Sequence, residues 1–178
     1  MGIGFELVCR RCRYSFRIGF GIGLLFPQVY RETIQAAWEG KLGSEVQDFL
    51  RDSPQGALDC EQVLLQCTSC GALDSGPDLS MYLPEDEPAA DKPSEDEPEG
   101  SLPCPLEDIP CVEPWELKAN YQLVKPYGHV CKECGSEMRV IKEENLIPPD
   151  RGMGNTAVNV NCPKCRRPMK IGSSGMWG

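Results

Sequence analysis

The chain has 178 residues, enough for one or two small domains, and a formal net charge of −9. Aromatic residues make up only 7% of it, whereas 18 glycines and 16 prolines indicate loop-rich domains that bury too little apolar surface to fold without help. Segment 1–7 lacks the basic start and cleavage pattern of a secretory signal, and the longest apolar run, 18–26, is too short to span a bilayer. We therefore expect a cytoplasmic protein that has no membrane partner.

The negative charge is concentrated in one acidic, proline-rich segment. Residues 84–99 contain eight acidic side chains and one lysine. The segments on either side carry little net charge, which argues against general binding of nucleic acids. Because the acidic segment has almost nothing to bury, its composition favours an extended, disordered chain. We predict an N-terminal domain over 1–83, a disordered acidic linker over 84–102, and a C-terminal arm and ribbon over 103–178.

Before the linker, the pattern of apolar residues predicts two strands and two helices. Residues 5–8 predict a short strand, and the alternation of apolar with polar or small residues over 14–20 predicts a second. Apolar residues at helical spacing predict a helix over 27–40. Ser44 with Gln47 forms a capping-box pattern that predicts the start of a second helix. The two helices would form a helical hairpin inserted into the N-terminal domain.

After the linker, the sequence indicates an irregular arm followed by a pair of strands. Residues 102–126 predict an irregular arm or short helix. Residues 137–142 predict a strand, and residues 156–160 predict the partner that pairs with it. Prolines and a glycine between the two segments are typical of a turn.

Four C-x-x-C pairs account for eight of the eleven cysteines. An odd total and this spacing suit reduced, metal-binding thiols better than a disulfide framework. Two such pairs complete a tetrahedral four-sulfur site, so the sequence predicts two sites, one in each half of the chain. The predicted ligands are Cys9, Cys12, Cys67 and Cys70 in the first half, and Cys131, Cys134, Cys162 and Cys165 in the second.

The C-terminal set, C-K-E-C-G and C-P-K-C with 27 residues between them, resembles a zinc ribbon and also a rubredoxin over residues 127–171. The N-terminal set resembles the same double knuckle more distantly. Gly71 supplies the usual glycine after a knuckle, whereas Arg13 and Arg166 stand at the equivalent positions of two others. The resemblance implies a small α+β fold with two zinc-ribbon-like metal sites, the N-terminal one carrying the helical insertion.

The residues around the C-x-x-C pairs indicate which metal binds and what role it has. Residues 137–160 contain no aromatic side chain to surround a rubredoxin-like iron, so two zinc ions are predicted. Four protein sulfurs leave no position for a water nucleophile, so the sites are predicted to be structural and the protein not to be an enzyme. A rubredoxin-like iron electron carrier and a thiol oxidoreductase are the alternatives.

The remaining candidate residues have simpler interpretations. Cys60, Cys104 and Cys111 are predicted to be small, semi-buried side chains, and His129 to pack or form a hydrogen bond beside a knuckle. The predicted function is interaction through ribbon surfaces, first with a protein partner. The second candidate is a nucleic acid, contacted through Arg10, Arg11, Arg166 and Arg167.

Overall fold

The computed structural model describes residues 2–23, 25–85, 111–146 and 157–177, which form a small α+β protein. The chain divides into two compact units: unit 1 comprises 1–26, 60–78 and 127–178, and unit 2 comprises 27–59 and 79–126. Each unit therefore draws on both sides of the predicted linker and does not follow the predicted division into 1–83 and 103–178. Apart from Pro84 and Glu85, the predicted linker 84–102 lies outside the described residues.

Strands dominate unit 1, and helices belong mainly to unit 2. In chain order the elements are β1 (Gly2–Val8), β2 (Ser15–Phe20), α1 (Phe26–Trp38), α2 (Ser44–Asp52), β3 (Ala57–Leu58), β4 (Gln62–Cys67), β5 (Leu73–Pro77), β6 (Met81–Pro84), α3 (Pro114–Asn120), β7 (Tyr121–Lys125), β8 (Met138–Ile141), α4 (Glu143–Leu146), β9 (Ala157–Asn161) and β10 (Pro168–Trp177).

The first sheet of unit 1 has the strand order β2-β1-β10-β9 and is antiparallel throughout. The alternating pattern predicted over 14–20 appears as β2, whose Ile18 and Phe20 are buried. The long strand β10 pairs with β1 from Gly2↔Trp177 to Val8↔Lys170. The two ends of the chain thus lie side by side in one sheet.

The second sheet of unit 1 has the order β5-β4-β8 and corrects one predicted pairing. Residues 137–142 and 156–160 were expected to pair with each other. Instead β8 pairs with β4, and β9 pairs with β10 in the first sheet. Leu64 and Leu65 of β4 are both buried, so this strand is covered on both faces. This strand is the centre of the sheet, with β5 on one edge and β8 on the other.

Unit 1 has two clusters of buried apolar side chains, and each includes cysteines of the C-x-x-C pairs. The larger cluster comprises Leu7, Cys9, Ile18, Phe20, Leu64, Ile141, Leu146, Val158, Val160, Cys162 and Met169. The smaller comprises Val63, Leu65, Cys67, Cys131 and Met138. Both clusters are modest for a domain of this size, which is typical of proteins that rely on a bound metal for stability.

Unit 2 combines three helices with the small antiparallel sheet β3-β6-β7. The helix predicted over 27–40 appears as α1, after which Gly40 takes the left-handed conformation with φ 74°. The predicted capping box at α2 is wrong, because Gly43 is the cap and no side chain caps the helix. Gln47 instead donates through Nε2 to the backbone oxygen of Trp38, 2.7 Å away, and so ties α2 to the end of α1.

In the described part of the arm predicted over 102–126, the short-helix alternative is confirmed, and an unpredicted strand follows the helix. Residues 114–120 form α3, which begins with a capping box between Glu113 and Glu116, and residues 121–125 form β7. The longest helix of the described chain, α1, has 13 residues. None of the described helices has the length and apolar character needed to cross a bilayer.

Candidate metal centres

The eight paired cysteines come together as two clusters of four sulfurs, both within unit 1. In each cluster every Sγ lies within 4.8 Å of the other three. We call Cys9, Cys12, Cys162 and Cys165 site I, and Cys67, Cys70, Cys131 and Cys134 site II.

The predicted assignment of one site to each half of the chain is wrong. Site I joins the first knuckle to the fourth, and site II joins the second to the third, so site II is nested inside site I along the chain. Strand pairing explains this arrangement. The first and fourth knuckles are the turns beside the paired strands β1 and β10, while the second and third lie beside the paired strands β4 and β8.

The sulfur separations fit a single ion at each centre. The Sγ–Sγ contacts between the two knuckles of site I are 3.4 Å for Cys9–Cys165 and 3.4 Å for Cys12–Cys162. They are 3.4 Å and 3.6 Å for the corresponding pairs at site II. A regular tetrahedron of sulfurs about 2.3 Å from a metal has edges of about 3.8 Å, whereas a disulfide bond is about 2.05 Å long. The sulfurs are therefore spaced for a shared metal ion rather than for a disulfide.

All four knuckles have the same backbone hydrogen bonds. In each, the amide of the first cysteine donates to the carbonyl five residues later, and the amide four residues later donates back to the first cysteine's carbonyl. The forward bonds are Cys9→Tyr14, Cys67→Ala72, Cys131→Ser136 and Cys162→Arg167, with lengths of 2.8–2.9 Å. At the second knuckle, the amide of Cys70 also donates to Sγ of Cys67, 3.3 Å away. Such bonds orient the sulfurs and stabilise their negative charge.

The residue that follows each knuckle takes the left-handed conformation, whether or not it is glycine. The φ angles are 76° at Gly71 and 72° at Gly135, and 60° at both Arg13 and Arg166. The two arginines that depart from the glycine pattern therefore adopt the same turn geometry. This conformation costs an L-residue about 1–2 kcal/mol, which the hydrogen bonds and sulfur cluster of site I must offset.

The two cysteines of each pair have different exposure. The first is always buried in an apolar cluster, as Cys162 is with 0% exposure, whereas Cys12 and Cys134, both second members of a pair, are exposed. Each of the short sulfur contacts joins a first cysteine to a second cysteine of the other knuckle. The knuckles of one site are thus related by an approximate twofold symmetry.

Hydrogen bonds lower the pKa of Cys9 at site I and of Cys134 at site II. At site I the backbone amide of Cys12 is the main cause that lowers the pKa of Cys9 to about 6. At site II the Ser136 side chain, followed by its backbone amide, lowers the pKa of Cys134 to about 6. At Cys67 of site II burial raises the pKa, but hydrogen bonds from the amides of Cys70 and Ser69 lower it more. Each site therefore presents a thiolate at neutral pH, which is the form that binds a metal.

At Cys70 of site II the pKa is raised, so this thiol keeps its proton at neutral pH. The amide of Ala72 lowers the pKa of Cys70, but hydrogen bonding with Cys67 and burial raise it more, to about 12. A metal ion must displace this proton when it binds. Metal affinity at site II is therefore lowest in acid and rises with pH.

The geometry at both centres fits zinc-ribbon-like sites that can hold two metal ions. Comparisons with protein-family models, curated proteins and solved structures give no match. The candidate function of this chain therefore follows from its own residues. Eight cysteines in two closed clusters suggest structural metal binding.

Side chains link the two sites within unit 1. Arg166, next to the fourth knuckle, donates to the backbone oxygen of Ser69 in the second knuckle at 3.2 Å. Gln66 of β4 donates to the backbone oxygen of Asn161 in β9 at 2.8 Å and accepts from Arg139 at 2.6 Å. The Arg139 bond lies within the sheet of site II, whereas the bonds to Asn161 and Ser69 join the surroundings of site I to those of site II. Each site therefore supports the position of the other.

The other predicted residues lie outside both clusters. His129 is buried, forms a 2.8 Å hydrogen bond with the backbone oxygen of Asp78, and packs edge-on against Tyr127, which confirms its predicted role beside the third knuckle. Cys111 is half-buried, as predicted, whereas Cys60 is fully buried. Cys104 lies outside the described residues.

Alanine at Gly71 is expected to destabilise the protein more than alanine at Gly135. Both positions have positive φ, so each substitution costs about 1–2 kcal/mol in backbone strain. A Cβ at Gly135 meets nothing within 4 Å, whereas at Gly71 it lies 2.5 Å from Nη1 of Arg166. Gly71→Ala should lose up to about 1 kcal/mol more, because the flexible guanidinium must move and gives up its exposed hydrogen bond with Ser69. Urea unfolding of the metal-loaded variants measures the difference, and equal losses would contradict the contact.

Proposed function

We propose that the protein is a non-enzymatic, cytoplasmic zinc protein that presents the surfaces of its metal-bearing unit to a protein or nucleic-acid partner. The observation that carries this proposal is the closure of both clusters by four protein sulfurs. Catalytic zinc sites have three protein ligands and leave one position open for water or substrate. Four cysteines leave no such position, so the ions would serve the fold.

The surroundings of the cysteines also support a structural role over thiol exchange. In a thioredoxin-like protein, the C-x-x-C motif begins a helix, which activates one thiol. Here each pair is followed by a strand: β2, β5, β8 and β10, respectively. Each sulfur also has its short contact with a cysteine from a different pair. This arrangement favours a shared metal over a redox pair.

Structural zinc would supply much of the stability of unit 1. A four-ligand site contributes about 10–16 kcal/mol of apparent binding free energy at neutral pH, and this energy is available only to the folded chain. The net stability of a domain is about 5–15 kcal/mol. The binding free energy of two ions would therefore exceed the net stability of unit 1. Without them, unit 1 would not fold and could not present a binding surface.

Iron at site I is the second candidate, because aromatic side chains pack there. Residues 137–160 lack aromatic side chains, but this segment does not surround a metal site, because Cys134 and Cys162 on either side of it belong to different sites. At site I, Tyr14 and Phe16 pack against the apolar cluster that contains Cys9 and Cys162. Aromatic neighbours of this kind are expected around a rubredoxin-like iron.

Metal analysis of the purified full chain tests the proposal. Protein produced with both zinc and iron in the medium is expected to be colourless and to contain two equivalents of zinc. Red protein with iron absorption would overturn the zinc assignment, and one equivalent of each metal would assign iron to one site. Rapid alkylation of all eight paired thiols without a chelator would overturn metal binding itself.

A further inference from the structure

The charge around site I is unusual for a structural metal site. The two nine-residue segments that begin at its knuckles, 9–17 and 162–170, together contain eight basic side chains and no acidic one. In the sequence these clusters are far apart and fall in halves of low net charge. The pairing of the first and fourth knuckles brings them together around one ion. The basic side chains are Arg10, Arg11, Arg13, Arg17, Lys164, Arg166, Arg167 and Lys170.

Site II shows that a four-thiolate site does not require this charge. A divalent ion with four thiolates carries roughly −2 at either site. The equivalent segments of site II, 67–75 and 131–139, contain two basic and three acidic side chains. Neutralisation of the metal centre therefore does not account for eight cations at site I. The excess positive charge is available to a ligand.

Some of the eight cations already have a partner within the protein. Arg17 lies 3.7 Å from Glu6, Lys164 lies 5.5 Å from the ring centre of Tyr14, and Arg166 binds Ser69. In the part of the chain that the structure describes, Arg17 is the one member of this group that forms an ion pair. Most of the positive charge at site I is therefore not neutralised by the described carboxylates.

Four of the cations surround an open pocket beside site I. Arg10 and Arg11 come from the first knuckle, and Arg167 and Lys170 come from the segment after the fourth. Cys9 and Pro168 complete the lining. The register Val8↔Lys170 in the β1–β10 pair brings the two segments side by side. The pocket therefore exists only because these two knuckles share one site.

We propose that this pocket binds the phosphodiester backbone of a nucleic acid. The inference rests on the proposed function and deepens it by naming the partner of site I. Guanidinium groups form paired hydrogen bonds with phosphate oxygens, and three of the four pocket cations are arginines. Because most of the net charge of −9 lies in residues 84–99, the overall charge does not describe this face.

The absence of apolar anchors favours a nucleic acid over a protein at this pocket. The large, exposed apolar side chains of the described residues, such as Ile3, Trp115 and Met176, all lie outside 9–17 and 162–170. Protein interfaces concentrate their binding energy in buried aromatic and apolar anchors. Nucleic-acid interfaces are far more positive than protein interfaces, and four of the six residues that line this pocket are cations.

Fluorescence anisotropy with the zinc-loaded full chain tests the inference. The probes are labelled mixed-sequence RNA, single-stranded DNA and duplex DNA, titrated between 50 and 200 mM salt. The variant carries Arg10→Ala, Arg11→Ala, Arg167→Ala and Lys170→Ala. The matched control carries Arg31→Ala, Lys41→Ala, Arg51→Ala and Lys118→Ala, which remove the same charge from exposed positions outside the knuckles.

The wild type should bind at least one probe, and the pocket variant should bind it at least tenfold more weakly. The slope of log K against log salt should fall by about three units, as expected for four lost phosphate contacts. The control should stay within about threefold of the wild type. Equal loss in both variants, or no binding by a wild type that holds two metal ions, would overturn the inference and leave the proposed function intact. Equally tight binding to polyglutamate or to phosphatidylserine vesicles would also overturn it.

Discussion

A chain cut between Lys92 and Pro93 is expected to remain a single particle that holds two metal ions. Each site takes two sulfurs from either side of the cut. The pairs β1–β10, β4–β8 and β6–β7 also join the two fragments. To separate them, two metal–sulfur bonds at each ion and three strand pairings must break together. Size-exclusion chromatography after cleavage at an inserted protease site, with metal analysis of the peak, measures the outcome.

The cut chain in denaturant with a chelator provides the reference for separated fragments. Under these conditions the two fragments should elute apart, because neither the sheets nor the ions hold them. If the native cut chain instead gives two particles with one ion each, every half closes its own site and the crossed pairing is wrong.

The second large effect is expected when one exposed ligand is removed. Cys12→Ser should reduce the bound metal from two equivalents to one and should expose Cys162 and Cys165 to alkylation. Cys67 and Cys70 should remain protected, because they belong to site II. The lost ion removes binding energy on the order of 10 kcal/mol, so the melting temperature should also fall steeply. Mass spectrometry of the alkylated chain under native conditions identifies the exposed thiols.

Cys111→Ser is the matched control, since it makes the same chemical change outside both clusters. It should retain two metal ions and keep all eight paired thiols protected. In the Cys12→Ser variant, loss of protection at Cys67 and Cys70 before Cys162 and Cys165 would contradict the observed pairing.

Local features of the chain were predictable from the sequence, whereas the partners of those features were not. A C-x-x-C turn is specified by residues that are neighbours in sequence, and all eight paired cysteines lie in the two clusters. Which turns meet depends on strand pairing between distant segments. The strand β10 contains Gly172, Ser173, Ser174 and Gly175, which are poor strand formers, yet it pairs with β1 over residues 170–177 with a register shift at Gly172. No local pattern predicts this strand, and its pairing with β1 is what brings the first and fourth knuckles together.

The distribution of charge also depends on this long-range strand pairing. Charge counted along the sequence gives two weakly charged halves and an acidic segment between them. Charge counted around each metal centre gives one strongly basic site and one that is nearly balanced. The difference arises because Arg10 and Arg11 are brought beside Arg167 and Lys170 by the β1–β10 register. The basic residues are visible in the sequence, but the single surface that they form is visible only in the structure.

Unit 2 is composed of two segments that interrupt the chain of unit 1. The first, 27–59, leaves and re-enters unit 1 near the point where Gly21 forms a bridge with Gln62. The second, 79–126, leaves after Asp78 and returns before His129, whose side chain contacts the Asp78 backbone. At both insertions, the residues of unit 1 that flank the inserted segment are close to each other. We therefore expect that a short glycine linker could replace each inserted segment. A shortened chain that consists of unit 1 alone would thus contain all eight paired cysteines and the basic pocket.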